Sequence, residues 1–140
     1  MLLGQTRLWV LIIGLCGCVS AASRIDVGQG YEIEPKARCG SHPGVAFGGS
    51  SPRCSTIYRG TRRIGTAYWY EVSPSGRYLA FEQFGNIYGY DSKTDTVTFL
   101  SARPFGSCLT KWYERLNPPA LRCFDVHEQT VREVTFSNGD

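Results

Sequence analysis

The sequence contains few of the residues and motifs from which enzymes build reactive centres. It has only two histidines, His42 and His127, and no GxSxG, HExxH, glycine-rich phosphate loop or CxxC motif. Glu71, Glu82 and Glu114 supply carboxylates, but a glutamate in a strand usually faces solvent. The sequence therefore predicts a protein that is not an enzyme, with no catalytic residue, metal or cofactor. An enzyme of unknown type is the third-ranked alternative.

A strong excess of charge of either sign is also absent. Fifteen basic residues oppose twelve acidic ones, for a formal net charge of +3. Domains that bind nucleic acid carry strongly basic surfaces, so no nucleic-acid partner is predicted. With 42% hydrophobic and 19% charged residues, the composition excludes a disordered chain and indicates one small domain with a modest core.

The longest hydrophobic run lies at the N-terminus and is too short to span a membrane. Residues 8–19 form twelve apolar or small positions, about 18 Å as a helix against a hydrocarbon core of roughly 30 Å. A polar segment with one positive charge precedes the run and small residues follow it, which is the arrangement of a secretory signal. We expect residues 1–22 to be a signal peptide and residues 23–140 a single exported domain. A buried helix is the alternative for the run.

Residues 15–18, which read Leu-Cys-Gly-Cys, resemble the lipobox of bacterial lipoproteins and make Cys18 the lipidation site. Each buried CH₂ of the acyl chains contributes about 0.8 kcal/mol, so such an anchor is stable. Because Val19 rather than aspartate follows, the resemblance implies the outer membrane. Cys16 is unusual at its position in a lipobox, and residues 19–21 offer an ordinary cleavage site. A soluble periplasmic form is therefore the alternative.

Four cysteines follow the signal, at Cys39, Cys54, Cys108 and Cys123, and an even number in an exported chain indicates disulfides. Both consecutive intervals are fifteen residues and both contain turn-forming residues, which favours the pairs Cys39–Cys54 and Cys108–Cys123 over the other two connectivities. Each loop would contribute about 3 kcal/mol. A metal site at Cys39, His42 and Cys54 is disfavoured because the chain supplies too few ligands.

The hydrophobic pattern after the signal has a period of two and lacks a helical period, which predicts an all-β chain. A short helix competes only at 108–116. The expected strands are 30–34, 54–58, 66–72, 78–83, 87–91, 96–100, 109–114, 121–126 and 131–136.

The clearest local pattern is residues 73–100. Residues 73–76 form a turn, after which Leu79 and Phe81 are expected on one face of a strand with their neighbours on the other. Residues 85–86 make a hairpin loop, and Asp91 is expected to accept hydrogen bonds from the backbone of the turn that follows it.

Residues 87–97 also align with residues 121–131 at an offset of thirty-four, which indicates an internal repeat of a β-meander. The stretches SPSGRYLAF and NIYGYDSKTDTVTFL resemble the repeat of TolB-type β-propellers. The resemblance implies blade-like meanders and carries over no catalytic residue. Propellers need roughly four to eight blades, so a chain of this length is too short to close one. We expect a small antiparallel β-meander assembly or sandwich, fastened by two local disulfides.

One basic and aromatic stretch is a candidate binding patch. Within residues 58–70, a glycine-bounded turn is expected to present arginines beside aromatic residues, and these residue types dominate binding hot spots. The alternative is a solvated basic turn beside core aromatics. The candidate residues are Arg59, Arg62, Arg63, Tyr68, Trp69 and Tyr70.

These features together predict a non-enzymatic cell-envelope protein that binds an envelope protein through its β surface. It would reside in the periplasm, held to the outer membrane by its lipid, and an inhibitor or immunity protein is one form of this function. The alternative is a structural accessory of an outer-membrane assembly.

Overall fold

The computed structural model describes residues 23–36 and 54–137, which contain eleven strands in three open antiparallel sheets and no helix. The predicted all-β class is confirmed. Sheet A comprises β1 (Ile25–Gly28), β2 (Tyr31–Lys36), β3 (Cys54–Arg59) and β4 (Arg62–Ala67). Sheet B comprises β5 (Trp69–Val72), β6 (Tyr78–Gln83), β7 (Asn86–Asp91) and β8 (Thr96–Ser101). Sheet C comprises β9 (Leu109–Tyr113), β10 (Ala120–Phe124) and β11 (Thr130–Thr135).

Sheet B lies between the other two sheets, and its strand β6 is buried on both faces. Leu79 and Phe81 pack into one cluster with sheet A, whereas Ala80 packs into a second cluster with sheet C. The predicted alternation along this strand is confirmed. The first four residues of β6, 78–81, are all buried and apolar or aromatic, which is the pattern of a strand covered on both faces, whereas the last two are polar and partly exposed.

On each side of sheet B, one aromatic contact between sheets passes over a glycine in a strand. At Gly65 of β4, an added Cβ would lie 2.7 Å from Cε2 of Phe81, so the ring of Phe81 rests directly on the backbone of sheet A. At Gly89 of β7, an added Cβ would overlap the ring of Phe136 from the sheet C side. These two positions need glycine because another side chain approaches the backbone closely.

Several predicted strand bounds are wrong. The expected strand 66–72 is two strands, because the chain crosses from sheet A to sheet B at Tyr68, whose N–H donates to the carbonyl of Glu82 at 2.9 Å. β1 was not expected, and β4 starts at Arg62 directly after the turn at Gly60 and Thr61. The competing helix at 108–116 does not form, because β9 pairs with β10 there.

One disulfide joins Cys108 to Cys123 with a Cα–Cα distance of 5.6 Å, and this predicted pair is confirmed. It fastens the start of β9 to β10. Cys54 is also disulfide-bonded. Its predicted partner Cys39 lies outside the described residues, as do His42, Cys18 and the whole of residues 1–22, so those expectations stay predictions.

Sheets B and C stack so that their strands are matched in chain order. Glu71 of β5 accepts a hydrogen bond from Thr110 of β9. Leu121 of β10 packs with β6, and Phe136, just after β11, meets Gly89 of β7. The first three strands of sheet B therefore correspond to β9, β10 and β11. The fourth, β8, has no counterpart among the described strands of sheet C.

The thirty-four-residue repeat does not follow this correspondence. It aligns β7, the third strand of its sheet, with β10, the middle strand of sheet C. What recurs is a local turn: Asp91 accepts a hydrogen bond from the N–H of Lys93 at 2.8 Å, and Asp125 accepts one from the N–H of His127 at 2.9 Å. The predicted capping role of Asp91 is thus confirmed, while the likeness to propeller repeats stays a prediction.

Candidate protein-binding surface

The arginines of the predicted patch have structural partners. Arg59 ends β3, and its Nη1 donates to the carbonyls of Gln29 at 3.1 Å and Gly76 at 3.0 Å. Its guanidinium also lies 4.6 Å from the ring centre of the buried Tyr31. Arg59 therefore joins sheet A to the turn before β6 and is not a free cation at a loop tip.

The other two arginines lie in β4, because the turn itself contains only Gly60 and Thr61. Arg62 forms an exposed ion pair with Asp95 at 3.1 Å, which links sheet A to the turn between β7 and β8. Arg63 donates to the hydroxyl of Thr66 at 3.3 Å. The expected three-arginine loop tip is thus wrong in its geometry, although Arg62 and Arg63 remain exposed.

The aromatic residues of the predicted patch do not form one surface. Trp69 points toward sheet C, where it meets Phe105 edge to face at 5.6 Å between ring centres. Tyr70 packs on the opposite side, against the core between sheets A and B. Tyr68 contacts Phe84 at the crossing between the sheets. Adjacent strand residues point to opposite faces, so the sequence cluster is divided between two cores.

The stack of sheets leaves an outer face on sheet A, and this face is closed. Thr56 is fully buried and Cys54 is nearly so. Tyr58 donates to Glu34 at 3.1 Å, and the guanidinium of Arg24 covers its ring at 3.7 Å. The ring and hydroxyl of Tyr58 are therefore occupied by partners within the protein, whereas the buried Oγ1 of Thr56 has no hydrogen-bond partner among the described residues.

The opposite outer face, on sheet C, is open and more apolar. The register places Leu109 opposite Phe124 and Lys111 opposite Arg122, while Trp112 and Leu121 face sheet B. We call this surface the outer face of sheet C, and it consists of Leu109, Lys111, Tyr113, Arg122, Phe124, Val131 and Glu133. Leu109 is 76% exposed and Val131 is 58% exposed.

Charged side chains order the centre of this face. The guanidinium of Arg122 lies 4.5 Å from the ring centre of Tyr113 and is ion-paired with Glu133. The ring centres of Tyr113 and Phe124 are 6.4 Å apart. The hydrogen bond to Glu133 raises the pKa of Arg122, which stays charged. A shallow groove of about 450 Å³ runs beside these rings and ends at Asp125 and Glu128. Preordered tyrosine and arginine beside exposed apolar groups suit contact with another protein.

A second cleft of about 350 Å³ opens between sheets B and C, near Arg77, Glu114, Asn117 and Phe136. Arg77 binds both carboxylate oxygens of Asp91, at 3.0 and 2.8 Å. Burial alone would raise the pKa of Asp91, but hydrogen bonds from Arg77 and from turn N–H groups outweigh it and lower that pKa.

Glu114 is held in the same way. Burial would raise the pKa of Glu114, but hydrogen bonds from Ser73 and Ser75 outweigh this effect and lower it. The N–H of Ser75 donates to the carboxylate at 3.2 Å. Ionised, hydrogen-bonded carboxylates act as structural acceptors across the gap between the sheets, and a general acid would need a raised pKa instead.

Two of the three glutamates singled out in the sequence form hydrogen bonds between sheets B and C. Glu71 accepts a hydrogen bond from Thr110, and Glu114 accepts one from Ser75. Each glutamate thus bonds to a residue close to the Trp-Tyr-Glu segment of the other sheet. That segment, Trp-Tyr-Glu at 69–71 and again at 112–114, is the sequence signal for sheet correspondence that the thirty-four-residue offset missed.

The described ranges contain no group of three or more potential metal ligands, and none of their segments is a helix long and apolar enough to cross a membrane. Comparison with known proteins gives no match to a family model, a curated protein or a solved structure. The outer face of sheet C is therefore characterised by its own geometry and chemistry.

Proposed function

We propose that this chain is a non-enzymatic protein of the cell envelope that binds another protein through the outer face of sheet C. The observation that carries the proposal is the exposure of Leu109 and Val131 beside an ordered Tyr113–Arg122 pair. The N-terminal signal pattern, with Cys18 as the lipid site, supports export and attachment to the outer membrane. Disulfide bonding suits an oxidising compartment.

A protein partner fits this surface better than a small molecule does. Ligand sites enclose most of the molecule that they bind, whereas the groove beside Tyr113 and Phe124 is shallow and open along the sheet. Burial of the exposed Leu109 side chain would contribute about 2 kcal/mol. The paired charges of Arg122 and Glu133 supply polar groups around that apolar contact.

Two kinds of partner follow from this function. As an inhibitor or immunity protein, the chain would cover an envelope-acting enzyme or toxin, and the purified complex would show a reduced catalytic rate. As a structural accessory, it would hold a component of an outer-membrane assembly, and the purified complex would form without any loss of catalysis. The two kinds are distinguished once the partner is known.

The partner is identified by site-specific photo-crosslinking in intact cells. A photoreactive amino acid replaces Lys111 on the outer face of sheet C, and in a matched control it replaces Glu32 on the outer face of sheet A. We expect one protein to be crosslinked from position 111 and not from position 32, with mass spectrometry identifying it. Equal crosslinking from both positions would contradict the proposed surface.

Purified components then test the contact itself. The double variant Leu109→Asp, Val131→Asp removes the exposed apolar groups, and Ile25→Asp makes the same chemical change at a half-exposed position of sheet A. We expect the double variant to lose at least tenfold in affinity and Ile25→Asp to bind as the wild type does. An unchanged affinity of the double variant would refute the assignment of this face.

A further inference from the structure

Among the described strands, sheet C has three, one fewer than sheet A or sheet B. The third strand pairs antiparallel with a fourth in sheet A, as β3 with β4, and in sheet B, as β7 with β8. The third strand of sheet C, β11, pairs with β10 on one side, and no described strand lies on its other side. The position next to β11 is therefore an open strand position in the described part of the fold.

The backbone of β11 shows which groups face this open edge. The N–H of Phe136 donates to the carbonyl of Pro119, on the β10 side, at 2.8 Å. N–H groups alternate sides along a strand, so the N–H of Val134 also points toward β10. The N–H groups of Glu133 and Thr135 then point toward the open edge. The bulge in the β10–β11 pairing lies at the other end of the strand and leaves these positions regular.

The edge carries few of the features that normally prevent strand addition. β11 is six residues long, whereas the edge strand β1 has four residues; both pairings contain a register shift, which in β11 lies between Thr130 and Arg132. β11 contains neither proline nor glycine, and Val131 is exposed beside the open edge. Exposed edges with these properties accept further strands.

Self-association through this edge is disfavoured by charge. In a symmetric antiparallel pair of β11 strands, one residue must lie opposite its own copy. In the central registers that residue is Arg132 or Glu133, so like charges would face each other directly. A second copy of the chain is therefore not the expected occupant of the position.

We propose that the edge of β11 binds an extended segment of the partner protein as a fourth, antiparallel strand of sheet C. The inference deepens the proposed function and rests on it, because side chains opposite Val131 and Glu133 would extend the outer face of sheet C. The fitting segment carries a β-branched residue opposite Val131 and a basic residue opposite Glu133, whose carboxylate would then be shared between that residue and Arg122. Main-chain hydrogen bonds to Glu133 and Thr135 supply the pairing.

The probe is a synthetic peptide with blocked ends, Thr-Val-Lys-Thr-Val-Thr, whose lysine falls opposite Glu133 when the peptide runs antiparallel to β11. The control peptide has glutamate in place of lysine. Thr135→Pro removes an edge N–H without removing a β10 hydrogen bond, and Thr135→Ala is the matched variant that keeps the N–H. Binding is measured by fluorescence anisotropy, and folding of each variant by circular dichroism.

We expect the lysine peptide to bind the wild type and Thr135→Ala alike, and to bind Thr135→Pro at least tenfold more weakly. The glutamate peptide should bind the wild type at least threefold more weakly. Hydrogen exchange read by NMR on the wild type, which does not depend on any variant folding, should show slower exchange at Glu133 and Thr135 on binding. Failure of the lysine peptide to bind, or equal binding by Thr135→Pro, would overturn the inference.

The crosslinked partner separates this inference from the proposed function. Suppose that the partner binds Thr135→Pro and Thr135→Ala equally but does not bind the double variant Leu109→Asp, Val131→Asp. The outer face is then the binding surface, and strand addition is wrong. If the partner does not bind Thr135→Pro but binds Thr135→Ala normally, the added strand is supported. If both the proline variant and the face variant bind normally, both proposals fail.

Discussion

The two outer faces of the stacked sheets differ in how far their side chains are buried or covered by other residues of the protein. On sheet A, Thr56 is buried, and Tyr58 is held between Arg24 and Glu34. On sheet C, Leu109 of β9 and Val131 of β11 remain exposed on the outer face. The comparison shows that the same strand architecture ends in a face with a buried threonine and a covered tyrosine on one side, and in a face with exposed apolar side chains on the other. A stable monomer has no need of the second.

The sharpest test of this contrast compares two leucines within sheet C. Leu121 is fully buried against sheet B, whereas Leu109 is 76% exposed on the outer face. Leu121→Ala should lower the free energy of unfolding by about 2–5 kcal/mol, because it opens a cavity. Leu109→Ala should change it by less than about 0.5 kcal/mol. Urea denaturation measures both, and a comparable loss for Leu109→Ala would mean that the outer face is part of the core.

The next largest effect concerns the attachment of sheet C. The double variant Cys108→Ser, Cys123→Ser should lose about 3 kcal/mol, because the disulfide no longer restricts the unfolded chain. Urea denaturation measures the loss. The oxidised wild type serves as the control, because reduction would also break the disulfide of Cys54. Unchanged stability would show that the packing of sheet C on sheet B is sufficient without the bridge.

A smaller effect is expected from acid at the cleft between sheets B and C. The folded-state pKa of Glu114 lies below its ordinary value of 4.5, so its stabilising effect is complete above that value and is lost as the pH falls through the folded pKa. Between about pH 6 and about pH 3, the wild type should therefore lose about 1 kcal/mol more stability than Glu114→Gln does. Chemical denaturation at each pH measures this difference, and identical pH profiles would contradict the assignment.

The smallest stability effect should come from the exposed arginines of sheet A. Arg62→Ala, Arg63→Ala should lower stability by less than about 1 kcal/mol, since the Arg62–Asp95 pair is exposed. If the outer face of sheet C is the binding surface, this variant should bind the crosslinked partner as the wild type does. Weaker binding would instead restore the patch predicted from the sequence.

Local features were predictable because they depend on neighbouring residues. Three such features are observed: the turn that Asp91 caps, the alternation of Leu79 and Phe81, and the Cys108–Cys123 bridge. All three follow from short-range spacing. The break at Tyr68 was not predictable from the pattern, because β4 and β5 read as one continuous run. It depends on where the chain leaves one sheet for the next.

The binding patch illustrates the same limit. Trp69 and Tyr70 are adjacent in the sequence, and their period-two alternation already separates them onto different faces. The pattern does not show that another sheet packs against each face of β5. Arg59, likewise, is predicted from the sequence to be a free cation, but the carbonyl of Gly76 comes close to it only when sheet A stacks on sheet B.

The sequence by itself determined the all-β class, the turns and one local disulfide, because strand period, turn residues and short loops act over a few neighbouring residues. Only the tertiary structure decided that sheet B is enclosed, that the predicted patch is divided, and that Leu109 and Val131 are left open. Which face of a strand is buried depends on the sheets that stack on it, and those contacts join residues far apart in the chain.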